Sequence, residues 1–309
     1  MAYPTIAKPY GLLPYNLKGG LPYAGSTRMI PIQQGYATNL FFGDVIGLSN
    51  GQAVITPYNA NTSSAAAAGN IVGVFLGAEY TASTTGPIYG RVRNEFWASG
   101  TNAPDAVAYV ADDPNALFKA VVVQQAQGTA NTQANTGTTV GYFSPSFIGT
   151  NAFLVAGNAG STATGVSAMG VCGGNPTVAS SVAGNIRQTV GTGAGTSPCL
   201  RVVQLVPDTA VSVSTTLSSS PSGATTFTIA STTGIIPGMQ CVIAGISGTT
   251  AGSPGSNLTV TGMVTGTSTV TVSSAVTASS GTVVTFIGYP EVVVGWNFGF
   301  HSYLLAAGV

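Results

Sequence analysis

From Thr209 to Pro290 the chain carries no charged side chain at all, and a second uncharged stretch runs from Ala120 to Ile186. The first is built from Ser, Thr, Gly, Ala and Val, as in TFTIASTTGIIPGMQCVIAG and NLTVTGMVTGTSTVTVSS. Alternating Thr and Val broken by glycine suits short half-buried strands and gives no apolar stripe at helical spacing. Over the whole chain eight basic residues balance eight acidic ones. An ordinary soluble domain is about one quarter charged, and near-zero net charge promotes association. Such a composition points to a mainly β protein that lives in an assembly.

Composition also sets aside several functions. The apolar content of 44% is enough to fill real cores, so intrinsic disorder does not fit. No basic stripe supplies the electrostatic footprint of nucleic-acid binding. No run of about 20 apolar residues predicts a membrane-spanning helix. The N-terminus MAYPTIAKPYGLLPYNLKGG lacks a continuous hydrophobic segment of signal-peptide type, so synthesis in a cytoplasm is expected. Cys172, Cys199 and Cys241 are odd in number and widely spaced. They fit neither a disulfide framework nor a zinc site and are expected as buried thiols.

Three parts are expected along the chain. Residues 1–28 read as an extended N-terminal arm, because Pro4, Pro9, Pro14 and Pro22 forbid a continuous helix. Tyr3, Tyr10, Tyr15 and Tyr23 accompany those prolines. They either dock on a neighbouring chain, as interface tyrosines do, or fold back on their own domain. Residues 29–208 with 288–309 read as a base domain, a small β-barrel or sandwich. Asn50-Gly51 between apolar runs predicts a tight hairpin, and Asp112-Asp113-Pro114-Asn115 a turn between two strands. Short helices are possible only at 126–134 and 175–186. Residues 209–287 read as an inserted Ig-like or small β-sandwich module, with about five strands between Thr226 and Ile287 and flexible entry and exit.

Catalytic chemistry finds little material. His301 is the only histidine and lies in an aromatic strand, WNFGFHSYLL; no GxSxG motif is present. Asp112-Asp113 reads as a solvated turn, and no metal, cofactor or catalytic residue is expected. Arg91 and Arg93 alternate in GRVRNEF and so project from one face of a strand. They form either a surface ion-pair row or an interface stripe. Trp97, on the same parity, favours the interface, since Arg and aromatic residues recur at hot spots.

Read in order, YGLLPYNLKGGLPYAGSTRMIPIQQGYATNLFFGDVIGLSNGQ, IVGVFLGAEYT, RNEFWASG, DAVAYVADDPNALF, LRVVQLVP and EVVVGWNFGFHS resemble the capsid decoration, or cement, proteins of tailed bacteriophages. The insert resembles small β modules of virion surface and fibre proteins. The family pattern runs almost directly from the LRVVQLVP-like strand to the last one, and this chain departs from it by its insert. The resemblance implies a non-enzymatic role on the outer surface of a virion, with the major capsid protein and further copies of this chain, as a homotrimer, for partners. A receptor- or carbohydrate-binding surface protein, with the host cell surface as partner, is the alternative.

Overall fold

The computed structural model describes residues 8–55, 71–82, 90–124, 139–140, 147–152, 154–155, 160–173, 199–206, 209, 212–245 and 258–297. The chain is mainly β, as its composition predicts. Its strands begin with β1 (Leu12–Leu17), β2 (Arg28–Pro31), β3 (Val45–Ser49) and β4 (Gln52–Ile55). Next come β5 (Ile71–Thr81), β6 (Arg91–Asn94), β7 (Val107–Ala111) and β8 (Ala116–Gln124). Four short strands follow: β9 (Thr139–Val140), β10 (Asn151–Ala152), β11 (Leu154–Val155) and β12 (Gly170–Gly173). The chain continues with β13 (Leu200–Val206), β14 (Ser212–Thr216), β15 (Ala224–Thr228) and β16 (Gln240–Ile243). It ends with β17 (Val260–Val264), β18 (Thr269–Val276), β19 (Val283–Ile287) and β20 (Glu291–Trp296).

Two sheets make the base. In the first the order is β2-β7-β5-β3-β4, with β6 added beside β5. It curls until Ile32 meets Ala53 in a parallel bridge, which nearly closes it into a small barrel. Inside lie Ile30, Ile46, Phe75, Trp97 and Val110. The hairpin between β3 and β4 turns at Asn50 (φ 50°) and Gly51 (φ 76°), with Ser49 opposite Gln52. Both central residues are left-handed, the geometry that an Asn-Gly pair accepts at least cost. The second sheet runs β10-β13-β20-β8-β12-β11, with β1 and β9 also on β8. Its central strands read as continuous apolar runs, and Phe118, Val122, Leu154, Val294 and Trp296 fill its core.

The Asp112–Asn115 turn forms as expected, with the Asn115 N–H donating to the Asp113 carboxylate at 2.7 Å. It does not make a hairpin, because β7 belongs to the barrel and β8 to the larger sheet. Of the two readings open for the N-terminal stretch, residues 8–28 follow the second and fold back on their own chain. β1 pairs antiparallel with β8, and Leu12 is fully buried. Leu12 sits in the apolar core while Pro14 and Asn16 flank a bulge at Tyr15, so Pro14 is accommodated beside an irregularity and does not exclude pairing. Residues 1–7, with Tyr3, lie outside the described residues, as do both candidate short helices and His301.

Among the described residues, the strands of 212–287 pair only with one another, in the three-stranded sheets β14-β19-β16 and β15-β18-β17. The two are stitched along both edges. Ser218 N–H donates to the Thr228 carbonyl and Ala230 N–H to that of Thr216, both at 2.9 Å. On the other side Cys241 N–H donates to Leu258 at 2.7 Å and Val260 N–H to Met239 at 2.8 Å. Phe227, Ile243, Leu258, Val270, Val272 and Phe286 fill a core of their own. Outside, hydroxyls pair across strands, Ser214 with Thr285 at 3.0 Å and Thr226 with Thr271 at 3.4 Å.

The flanks of this unit are the strands β13 and β20, antiparallel neighbours whose last pair is Val206 with Glu291. The insert therefore fills the place of a hairpin loop. At its neck, described residues bond to the base. Thr209 hydroxyl donates to the Val206 carbonyl at 2.8 Å and accepts the Glu291 N–H at 2.7 Å. Val122 N–H donates to the Pro290 carbonyl at 2.8 Å.

Candidate functional site

The titratable side chains fall into structural groups and one exposed face. At the neck, the Glu291 side chain is buried and bound by Lys119 Nζ at 3.2 Å and by the Tyr10 hydroxyl, which donates to the same carboxylate oxygen. Burial and the bond to Glu291 push the Tyr10 phenol far up. A buried carboxylate is tolerated only when so partnered. Tyr10, expected at an interface, is therefore spent on joining its own N-terminal segment to β20. Tyr23 is half-buried and donates to the Ser26 carbonyl. Tyr15 alone of the described arm tyrosines stands well out, at 48% exposure.

Asp44 is the second buried carboxylate. Phe41 N–H donates to it at 2.8 Å, and Ser167 hydroxyl adds a bond. Burial outweighs both and pushes its carboxyl up to about 6. The three cysteines are free and buried. Desolvation pushes each thiol up to about 12, which keeps the thiolate out of reach at neutral pH. Among the described residues no three His, Cys, Asp or Glu side chains converge as metal ligands. A cleft of 330 Å³ lies where the insert meets the base, lined by Lys8, Ser161, Ser167, Thr259 and Tyr289 among others.

The exposed face is on the outside of the barrel. Arg91 and Arg93 do project together from β6, as the alternation predicts. Arg91 Nε contacts Glu79 at 2.5 Å, and the Tyr109 hydroxyl donates to the same carboxylate. That hydrogen bond first, then the arginines, hold Glu79 below the usual carboxylate range. Arg93 instead sits over the Tyr109 ring, its guanidinium carbon 4.4 Å from the ring centre. Trp97 is not on this stripe, which corrects the parity argument. β6 ends at Asn94, the chain bends through Glu95 and Phe96, and Trp97 enters the barrel fully buried. There it stacks edge-on against Tyr80 and donates to the Tyr36 carbonyl at 3.4 Å.

Sequence reasoning did not find Glu79, Tyr109 and Met29 as members of this face. Their signal is the alternation of β2, β5 and β7, but which strands adjoin is not written locally. β7 pairs Tyr109 with Met29 on one side and with Gly77 on the other. The missing side chain at Gly77 makes room for the Asn94 carbonyl, whose oxygen would lie 2.8 Å from a Cβ there. No protein-family model, curated protein or solved structure matches this chain.

Proposed function

We propose that the protein is a capsid decoration, or cement, protein that binds the outside of a phage head and bridges neighbouring major capsid subunits. The observation that carries this reading is where its few charges go. Asp44 and Glu291 are buried in structural bonds, Glu79 and Arg91 neutralise one another, and the insert has none. A base domain whose charges are so spent is cheap to desolvate, which suits a surface covered by neighbours, while the hydroxyl-rich insert can stay hydrated. A homotrimer is the assembly this reading expects. The resemblance of the ordered segments to phage decoration proteins supports the same conclusion, and the role is non-enzymatic.

The alternative, a receptor- or carbohydrate-binding surface protein, would rest on the insert. Both aromatic residues of the insert, Phe227 and Phe286, are buried, so no ring is offered for sugar stacking. Copy number separates the readings. Quantifying the protein in purified virions is expected to give on the order of hundreds of copies, as a repeating shell contact of standard size would require. A handful of copies at a tail or vertex would overturn the decoration reading.

In this reading the insert projects away from the shell. Because Val206 and Glu291 already face each other, replacing residues 210–288 with a short Gly-Ser linker should close a hairpin. The remaining base is expected to melt within about 3 °C of the full chain and to decorate heads at unchanged occupancy. Loss of folding would show that the insert completes the base core.

A further inference from the structure

We infer that the outer face of the barrel, centred on Arg93 and Tyr109, is the surface that seats on the shell, and that it receives a carboxylate from the partner protein. The inference rests on the decoration reading and names its contact. Met29 is 62% exposed and sits directly across from Tyr109. Pro31 pairs with Val107 in the next row of the same two strands, and Pro31 is exposed too. One patch thus joins a flexible thioether, an aromatic ring and a guanidinium, the composition enriched in interface cores.

The charge pattern says what the patch accepts. Glu79 is already taken by Arg91 and by the Tyr109 hydroxyl. Among the described residues no carboxylate comes within ion-pair distance of Arg93. Its guanidinium carbon lies over the ring, 4.4 Å from the centre. A guanidinium so placed loses little freedom when a carboxylate binds it by two parallel hydrogen bonds. Glu79 fixes Tyr109, Tyr109 fixes Arg93, and the fork of Arg93 is the donor set left over. A protein surface that presents Asp or Glu beside an apolar patch for Met29 completes it.

The test uses the full-length protein and heads assembled without it. Arg93→Ala is expected to weaken binding about tenfold or more with an unchanged melting temperature. Arg93→Lys should recover only part of that loss, because an ammonium has neither the fork nor the planar face. Met29→Glu sets a like charge against the partner's carboxylate and should weaken binding as strongly without touching the core. A structural role alone would lower the melting temperature of the Arg93 variants and leave affinity unchanged. Wild-type affinity in either Arg93→Ala or Met29→Glu overturns the inference and leaves the decoration reading standing. If the wild-type protein itself does not bind heads, that reading falls and the inference with it.

Discussion

Gly43→Ala is expected to destabilise the protein by about 4 kcal/mol, a large share of a domain's usual 5–15 kcal/mol. Gly43 has φ +92°, and a Cβ there would stand 2.7 Å from the Tyr10 carbonyl oxygen and 3.2 Å from the Cα of Gly11. Gly11 answers it, with φ +82° and a Cβ that would meet the Gly43 carbonyl oxygen at 2.5 Å. Two backbones cross here with nothing between them. Leu12 N–H donates to the Gly43 carbonyl at 2.9 Å, Gly43 N–H to that of Phe75 at 2.8 Å, and Gly11 N–H to that of Met169 at 3.0 Å. The crossing therefore ties the N-terminal segment, the barrel and the 160–169 loop together. Left-handed backbone costs a side chain about 1–2 kcal/mol, and forcing packed backbones apart about 1–3 more.

Gly51→Ala supplies the comparison. It has φ +76°, but nothing lies within 4 Å of the added Cβ, so only the backbone term of about 1–2 kcal/mol applies. Urea unfolding of both variants separates the two costs. If Gly43→Ala loses no more than Gly51→Ala, the crossing relaxes freely and does not hold the base together.

These two glycines also mark the boundary of what the sequence discloses. Gly51 is legible because its partner is Asn50, next to it in the chain, and the pair specifies its own turn. The role of Gly43 depends on Tyr10 and Gly11, brought to it by the fold, and no local pattern announces them. The same boundary separates Arg93 from Trp97. Strand alternation places Arg91 and Arg93 correctly because it is a property of β6 alone. It fails three residues beyond Asn94, where the chain bends to satisfy Leu40, whose N–H and carbonyl both bond Trp97. In the insert, uncharged alternation reveals a separate β unit, yet β14 at its entry escapes notice. Ser212–Thr216 is a polar outer strand whose only paired strand among the described residues is β19, far away in sequence. The Arg93 face needed three strands in register, so single residues could suggest it and could not assemble it.

Asp44→Asn is expected to abolish a fall in stability that the wild-type protein suffers as pH rises through the interval from about 4 to 6. Asp44 is 2% exposed, and burial raises its carboxyl from 3.8 to about 6. Below pH 3.8 the group is protonated in the folded and the unfolded chain alike, and its burial carries no charge penalty. Between 3.8 and about 6 the unfolded chain has released this proton and the folded chain still holds it. The folded state then binds more protons, so stability declines with rising pH. Above about 6 the charged carboxylate is buried at full cost. A shift of that size corresponds to about 3 kcal/mol at neutral pH. Glu79 and Asp105 are shifted the other way, each chiefly by hydrogen bonding, and so are already ionised in the upper part of this window.

Asparagine keeps the shape and can still accept the Phe41 N–H. Its amide would donate to Ser167 Oγ, which already accepts the Met169 N–H at 3.0 Å, and the altered hydroxyl arrangement costs about 1 kcal/mol. The variant should thus be somewhat less stable than wild type at pH 4 and more stable by about 2 kcal/mol at pH 7.5. Denaturant unfolding at intervals between pH 4 and 7.5 measures the difference directly. Parallel stability curves for the two proteins would mean that Asp44 does not hold its proton in the fold. A gap that closes and then reverses between pH 4 and 6 would show a carboxyl kept neutral by burial at the crossing that joins the two sheets of the base.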